Sequence, residues 1–293
     1  MRAVFEGIVD YAGLFPPASL GMAEAVEHYD RYRRSPERAL LGRFVVAASR
    51  LDELGESVSN RRPEIEPGEP WQLAVVTGAN LPLELERITA FRKVWDVRGL
   101  RIDAVEHRIA TPGEVVVVDE LLAPSYLRFL EVPLQGPYTD LVQAIARIGA
   151  CAKIRTGGTT PALFPAADAL TQFLIAVTTQ RVPFKATAGL HHPFRGSYPL
   201  TYEPGADRFE MYGFINLLLA TAELHRSGDG EIAQLLLEES DPAAFECAPH
   251  ALSWRGKRYS AAELAVVRRD SFLGFGSCSF QEPVDDLHAM AVA

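Results

Sequence analysis

Short apolar, β-branched segments alternate with amphipathic helical patterns along most of the chain, and few folds accommodate that alternation. Strands are predicted at 5–15, 41–48, 71–78, 99–109, 127–134, 150–158, 182–190 and 272–280. Helices are predicted at 21–34, 81–95, 138–149, 165–180, 209–226, 230–240, 260–270 and 282–292, and an exposed loop at 57–70. Strands that alternate with helices are typical of βαβ units, which build a parallel sheet.

Eight strands with intervening helices in a chain of 293 residues predict an α/β fold, a closed (β/α)8 barrel of the TIM type. We interpret residues 1–293 as one barrel domain. The segment 227–271 departs from the simple repeat, because it holds two helical patterns and a predicted hairpin that turns at Arg255 and Gly256. We interpret it as an insertion in the seventh connection, before the last strand. An open, doubly wound parallel sheet is the alternative fold.

Charge and composition favour a cytoplasmic protein that binds neither nucleic acid nor membranes. The net charge is −9, and no run of Lys and Arg exceeds two residues. Glu6 and Asp10 interrupt the apolar N-terminal segment, which is therefore not a signal peptide. The longest apolar stretch is shorter than the roughly 20 residues that span a bilayer. Cys151, Cys247 and Cys278 lack C-x-x-C spacing, which suggests a reducing compartment and no zinc knuckle.

In a barrel of this kind, catalytic groups come from the C-terminal ends of the strands and from the loops that follow. Polar residues occur there at Asp10, Asp103, Glu106, His107, Glu131, Lys153, Arg155, Lys185, His191, His192, Ser277, Cys278 and Ser279. Strand alternation puts Lys153 and Arg155 on one face, and likewise Lys185 and Thr187. A lysine that pointed outward would lie unpaired beneath the covering helices, so we expect both lysines to point inward.

The lysine pair suggests nucleophilic catalysis. Two lysines on adjacent strands disfavour each other's charged form, which lowers the pKa of a lysine and makes it a nucleophile at neutral pH. We therefore predict Lys153 and Lys185 as catalytic residues. Glu131 and Glu106 are the predicted proton-transferring carboxylates, with Asp103 as a competitor. In the alternative interpretation, the lysines form structural ion pairs with Glu131 or Glu106 inside the barrel.

Two motifs, AKIRTGG at 152–158 and FKATAGL at 184–190, resemble the lysine pair of class I aldolases of the deoxyribose-phosphate aldolase type. The resemblance covers residues 150–192. It implies that Lys153 is the Schiff-base lysine and that Lys185 perturbs it. Arg155 departs from the family, which has a small hydroxyl residue there, and LHHP replaces a plain glycine turn. The stretches DYAGLFPPA and FKATAGLHHP are also similar to uncharacterised bacterial proteins, which imply no activity.

Four further residues are predicted to bind substrate. Arg155 suits a carboxylate or phosphate, and otherwise orders its turn through a salt bridge. His191 or His192 could reach the barrel mouth as an acid, a base or a metal ligand. Asp10 ends the first strand, before a stiff Pro-Pro loop, and otherwise has a turn or capping role.

The last strand suggests an anion site. Ser277 and Ser279 follow a glycine-containing segment and precede a helix, where barrels often bind phosphate through backbone amides. The alternative is a strand whose glycines allow a helix to pack closely. Cys278, between the two serines, is expected to be a buried structural thiol rather than a nucleophile.

These residues predict an enzyme that acts on a small anionic, carbonyl-bearing metabolite through Schiff-base lyase chemistry, without a cofactor or metal. One alternative is a metal-dependent barrel lyase or hydrolase that uses His191 or His192 with Glu106 and Glu131, although no H-x-H or H-E-x-x-H spacing supports it. A second alternative is a non-catalytic barrel that binds an anion, marked by ion-paired lysines and no open pocket. Self-association through the apolar helix 209–226 stays open.

Overall fold

A computed structural model describes residues 2–61, 65 and 68–290. The strands are β1 (Val9–Tyr11), β2 (Leu41–Ala47), β3 (Trp71–Val76), β4 (Leu100–Arg108), β5 (Leu127–Glu131), β6 (Cys151–Arg155), β7 (Phe184–Thr187), β8 (Gly196–Pro199), β9 (Arg208–Met211), β10 (Phe245–Ala248), β11 (Ala251–Trp254), β12 (Lys257–Ser260) and β13 (Phe272–Ser277). The α-helices are α1 (Arg2–Phe5), α2 (Met22–Arg33), α3 (Leu51–Arg61), α4 (Leu81–Trp95), α5 (Pro112–Leu121), α6 (Thr139–Arg147), α7 (Ala167–Gln180), α8 (Phe214–Ser227), α9 (Gly230–Glu238), α10 (Ala261–Asp270) and α11 (Gln281–Ala289). Short 3₁₀ helices lie at Arg38–Leu40, Ala48–Arg50, Asp96–Arg98, Pro161–Leu163 and Pro242–Ala244.

Eight of the strands form a closed, all-parallel barrel. Their order around the barrel is β1, β13, β7, β6, β5, β4, β3 and β2, and β1 pairs with both β13 and β2. The predicted (β/α)8 barrel is therefore confirmed, and the open doubly wound sheet is wrong. A strand lies within each of the eight predicted segments, although the first prediction, 5–15, shrinks to the three residues of β1.

The helix prediction at 209–226 is wrong at its start. Residues 208–211 form β9, which pairs with β8 in an antiparallel hairpin, and α8 begins at Phe214. Every residue of α8 from Phe214 to Leu224 is buried, and the helix packs against α7, α9, α10 and β13. Its apolar surface is thus covered within the chain, and self-association remains a prediction that the structure of one chain does not test.

The predicted loop at 57–70 is wrong over 57–61, because these residues belong to α3. Residues 62–64, 66 and 67 lie outside the described part of the chain, as do 291–293 at the end of the last predicted helix. The hairpin predicted within 227–271 is confirmed. Arg255 and Gly256, with φ of +47° and +79°, connect β11 to β12, and β10 extends them to a three-stranded antiparallel sheet.

One segment, Pro161–Gln180, is apolar and long enough to cross a membrane by length and composition alone. In the structure it comprises a 3₁₀ turn and α7. The inner side of α7, which includes Phe173 and Leu174, is buried in the core of the barrel. Packing therefore accounts for the apolar composition of this helix.

Strand alternation stacks the barrel interior in layers. Ala104, Phe129 and Cys151 belong to a small apolar cluster inside the barrel, together with Val45 and Ala74. Two residues further along their strands, the same inward face carries Glu106, Glu131 and Lys153. Charged residues therefore form the layer above this apolar one, towards the C-terminal ends of the strands.

Candidate active site

Lys153 points into the barrel, as strand alternation predicts, and is only 4% exposed. Its Nζ lies 2.7 Å from Oε2 of Glu106 and 2.7 Å from Oε2 of Glu131. The neighbouring strands β4 and β5 supply these two carboxylates, and Glu131 is the register partner of Lys153. The ammonium group of Lys153 is thus held between two carboxylates at the end of the barrel where barrel enzymes have their active sites.

Lys185 is the register partner of Lys153 on β7 and is 2% exposed. Its Nζ lies 2.5 Å from Oδ2 of Asp10, 2.7 Å from Oε1 of Glu106 and 5.2 Å from the centre of the Phe129 ring. Glu106 therefore uses one oxygen for each lysine. The expected direct repulsion between two ammonium groups is replaced by a carboxylate bridge.

This bridge changes the electrostatics predicted for Lys185. Burial alone would lower the pKa of Lys185, but the charges of Asp10 and Glu106 and their hydrogen bonds outweigh burial and raise it. The prediction that the lysine pair would lower its own pKa values is therefore wrong for Lys185. The reason is that strands β1 and β4 bring carboxylates into the space between and beside the lysines.

The two glutamates respond in the opposite direction. Burial by itself would raise the pKa of Glu106, but the charges of Lys153 and Lys185 outweigh burial and lower it to about 2. The pKa of Glu131 is also lowered, because Lys153, Arg155 and Arg108 outweigh burial. Both carboxylates are thus held in the charged form at neutral pH.

Two guanidinium groups lie at the mouth, above Glu131. Nε of Arg155 is 3.6 Å from Oε1 of Glu131, and a terminal nitrogen of Arg108 is 3.3 Å from the same oxygen. The Arg108 side chain is 73% exposed and that of Arg155 is 26% exposed. Both cations can therefore meet an anion that enters from solvent, which matches the predicted role of Arg155.

A cavity of about 340 Å³ opens above this charged layer. Its lining comprises Ala12, Phe15, Pro16, Val45, Val76, Glu106, Arg108, Glu131, Lys153, Arg155, Gly158, Thr159, Leu163, Lys185, Thr187, Ala188, His191, Gly276 and Cys278. The predicted residues Lys153, Lys185, Glu106, Glu131 and Arg155 are thus brought together in one cavity. Apolar walls with a few convergent charged groups are typical of small-molecule sites.

The small residues after β7 leave space for the cavity and also let the turn after β7 pack closely against the turn after β6. Ala188 and Gly189 have φ of +59° and +74°, which turns the chain sharply at the end of the strand. A Cβ on Gly189 would lie 2.7 Å from Cα of Gly157, in the turn after β6. The turns that follow the two lysine strands therefore touch, and this contact fixes the rim of the cavity.

Asp10 occupies a different place from the one predicted. It lies outside the cavity lining, where Oδ1 accepts a hydrogen bond from the backbone N–H of Arg43 and Oδ2 meets Lys185. Asp103 forms a bidentate ion pair with the guanidinium group of Arg43. Asp10 is therefore engaged by Lys185 and Arg43 outside the cavity, and Asp103 is engaged by Arg43 and also lies outside the cavity lining.

The two histidines take separate partners. His191 lines the cavity, and its Nδ1 is 2.8 Å from Oε2 of Glu282. His192 lines an adjacent cavity of about 330 Å³, where it contacts Asp286 at 2.7 Å and stacks on Tyr198. Of the two histidines, therefore, only His191 lines the same cavity as Lys153 and Lys185. Among the residues that the structure describes, no group of three or more His, Cys, Asp and Glu side chains could hold a metal ion.

At the predicted anion site, the hydroxyl groups of Ser277 and Ser279 already accept hydrogen bonds from the backbone N–H groups that an anion would need. The hydroxyl of Ser277 accepts from the backbone N–H of Ser279, and the hydroxyl of Ser279 accepts from the N–H of Glu282. These two amides are therefore engaged, and the Glu282 carboxylate adds negative charge beside them. The serines order the start of α11 and lie outside the cavity lining.

Arg108 is a charged cavity residue that the sequence prediction missed. It follows Glu106 by two positions on β4, so the argument from strand alternation that placed Lys153 and Arg155 on one face would also have found it. Cys278 was predicted to be a buried thiol, which is confirmed, and it also lines the cavity. Its partners could not be predicted, because they come from distant loops.

Comparison of the chain with protein-family models, with curated proteins and with solved structures finds no significant match.

Proposed function

We propose that the barrel is a cytoplasmic enzyme that forms a Schiff base between Lys153 and a small anionic, carbonyl-bearing metabolite, and that it acts as a lyase. The observation that carries this proposal is the position of Lys153. Its ammonium group lies between two carboxylates, on a cavity that two guanidinium groups border. The class I aldolase resemblance at residues 150–192 supports the same assignment.

The choice of residue type supports a nucleophile. The chain has four lysines, and two of them, Lys153 and Lys185, are buried in this site. Arginine, which is far more frequent in the chain, also pairs with carboxylates but stays protonated at any physiological pH. A lysine, by contrast, can lose its proton and act as a nucleophile.

The geometry also suggests how Lys153 loses that proton. Lys153 does most to outweigh burial and lower the pKa of the Glu131 carboxyl group, and Arg155 and Arg108, which lie beside its Oε1, lower that pKa further. A substrate anion that binds these guanidinium groups competes with Glu131 for them. The pKa of Glu131 then moves back towards its usual range, and Glu131 becomes the base that accepts the Lys153 proton.

In the proposed reaction, the neutral Lys153 amine attacks the carbonyl carbon, and water leaves to give an iminium ion. A hydroxyl on the β-carbon then loses its proton, the bond between the α- and β-carbons breaks, its electron pair moves into the iminium system to give an enamine, and the β-carbon leaves as an aldehyde or ketone. Protonation of the enamine and hydrolysis of the iminium by water release the second product and free Lys153. Glu131 carries protons between Lys153 and the substrate, because it faces the cavity mouth. Glu106, clamped between Lys153 and Lys185, remains a fixed negative charge that orients both amines.

The test is reductive trapping. The protein is incubated with a panel of small aldehydes, ketones and keto acids in the presence of borohydride, and intact mass and peptide maps are recorded. We expect one adduct, on Lys153. Lys153→Arg is the matched control, because arginine keeps the charge between Glu106 and Glu131 but forms no Schiff base. An adduct that persists in this variant, or that maps to the exposed Lys93, contradicts the proposal.

A second candidate, an anion-binding barrel without catalysis, is favoured by the ion pairs that engage both lysines. The open cavity argues against it, because ion-paired lysines in a closed mouth were its expected mark. Saturable binding of a keto acid to the protein without any trapped adduct would support this candidate over the Schiff base.

A further inference from the structure

Cys278 stands in a chain of polar contacts on the wall of the same cavity, directly after β13. Its Sγ lies 4.0 Å from Nε2 of His191. On the other side of the imidazole, Nδ1 of His191 is 2.8 Å from Oε2 of Glu282 and 3.4 Å from the hydroxyl of Ser277. The Tyr202 hydroxyl lies 3.5 Å from Sγ and donates to Glu282 at 3.0 Å.

This order of groups is that of an activated nucleophile. A thiol faces one nitrogen of an imidazole, and a carboxylate fixes the other nitrogen, so that the ring is held in one orientation. Burial alone would lower the pKa of His191, but its hydrogen bonds with Cys278 and Glu282 outweigh burial and raise it to about 10. His191 is therefore an imidazolium at neutral pH and can donate a proton inside the cavity.

The cavity gives a ligand access to this thiol. Cys278 and His191 line the same cavity as Lys153, Arg108 and Arg155. The other two cysteines differ, because Cys151 and Cys247 lack a histidine contact in the described part of the chain. An anion held by the two guanidinium groups would therefore meet Cys278 as well as Lys153 inside one small space.

We propose that Cys278, His191 and Glu282 form a second covalent site, at which Cys278 adds to the activated alkene of a small unsaturated keto acid. The thiol proton passes to solvent as the sulfur electron pair forms a bond to the β-carbon. The alkene electron pair moves to the carbon beside the ketone, which takes a proton from the His191 imidazolium, and solvent then reprotonates His191. The step has no leaving group and no net oxidation or reduction. It rests on the ligand class of the proposed function, but not on chemistry at Lys153.

The experiment uses trans-4-oxo-2-pentenoate, with the whole protein and no reductant, and follows the adduct by intact mass and peptide mapping. We expect one adduct, on Cys278, that forms at least about tenfold more slowly in His191→Asn, because the proton donor is lost. Glu282→Gln is expected to slow it several-fold, and Cys278→Ser to abolish it. Cys247→Ser, which changes a half-buried thiol elsewhere, is expected to react at the wild-type rate.

Circular dichroism checks that each variant is folded, and Glu282→Gln keeps the test decisive if His191→Asn does not fold. An adduct that forms at the wild-type rate in the folded histidine and glutamine variants identifies a merely accessible thiol and overturns the proposal. So does preferential modification of Cys247, or no adduct on Cys278. The saturated analogue 4-oxopentanoate, trapped with borohydride, reports on Lys153 alone, so failure at one site is distinguished from failure at the other.

Discussion

Lys153 and Lys185 are register partners on adjacent strands, yet the carboxylate of Glu106 separates their ammonium groups, with one oxygen 2.7 Å from each. A buried lysine pair is stable only if negative charge compensates it, because an unpaired buried ammonium is very costly. Asp10 supplies further negative charge beside Lys185, and Glu131 does so beside Lys153. The two lysines therefore differ in surroundings: Lys153 faces Glu131 and the arginines, whereas Lys185 is enclosed by Asp10 and Phe129.

This difference predicts unequal effects of removing either lysine. Lys185→Met should slow reductive trapping at Lys153 by about tenfold to a hundredfold without abolishing it, because Lys185 positions Glu106 but does not meet the carbonyl. Lys153→Ala should abolish trapping. The initial rate of adduct formation, measured by intact mass at saturating ligand, tests both. Complete loss of trapping in a folded Lys185→Met variant would instead make Lys185 the nucleophile.

Arg155 is predicted to recognise the anionic group of the ligand. Arg155→Met should raise the ligand concentration needed for half-maximal trapping by about tenfold to a hundredfold, because a charge-assisted hydrogen bond is lost. The maximal rate should change less. Arg147→Met, on the exposed side of α6, is the matched control and should leave both values unchanged. Equal sensitivity of the two variants would mean that the effect is one of overall charge.

The barrel could be predicted from the sequence because the alternation of strand and helix patterns is local and is repeated eight times along the chain. Strand alternation correctly placed Lys153, Arg155, Lys185 and Thr187 on the cavity side, since each side chain follows from its strand's parity. The boundaries were less predictable: β9 was taken for the start of a helix, because its apolar residues run directly into those of α8.

The ion pairs of the two lysines with Glu106 and Glu131, which the sequence offered as the alternative interpretation, are confirmed. The other partners of the site residues could not be predicted, because they depend on contacts between distant parts of the chain. Lys185 meets Asp10 across 175 residues of sequence, and Cys278 meets His191 across 87. Strand alternation predicts the face of the sheet on which a side chain lies, but the register between strands determines which charged residue that side chain contacts. Ser277 and Ser279 were misassigned for the same reason, since their hydroxyls cap backbone amides that the sequence alone does not show to be engaged.

Gly42 on β2 is predicted to be needed for the placement of Asp10. A Cβ at this position would collide with Oδ1 of Asp10, which is buried against Lys185 and cannot move away freely. Gly42→Ala should therefore lower the free energy of unfolding by about 1–3 kcal/mol, as overpacking does. Urea denaturation measures this. Gly21→Ala is the control, since a Cβ there meets nothing within 4 Å, and a similar loss in both variants would argue against the collision.

Glu106 should give the protein a characteristic pH dependence of stability. Its pKa is lowered from 4.5 to about 2 in the folded chain, so the unfolded state binds the proton more tightly. The stabilisation from its charge is therefore fully present above about pH 5 and is lost as the pH falls towards 2. Glu106→Gln should lower the free energy of unfolding by about 3 kcal/mol at pH 7, and by progressively less below pH 5.

Urea denaturation of wild type and Glu106→Gln at a series of pH values between 3 and 7 tests this dependence. The difference between their unfolding free energies should shrink with falling pH, because below about pH 5 the unfolded wild type takes up a proton at Glu106 that the folded chain does not bind until the pH approaches 2. Glu120→Gln, on the exposed face of α5, should follow the wild type at every pH. A difference that stays constant from pH 7 to pH 3 would show that Glu106 acts through packing and hydrogen bonding, without its charge.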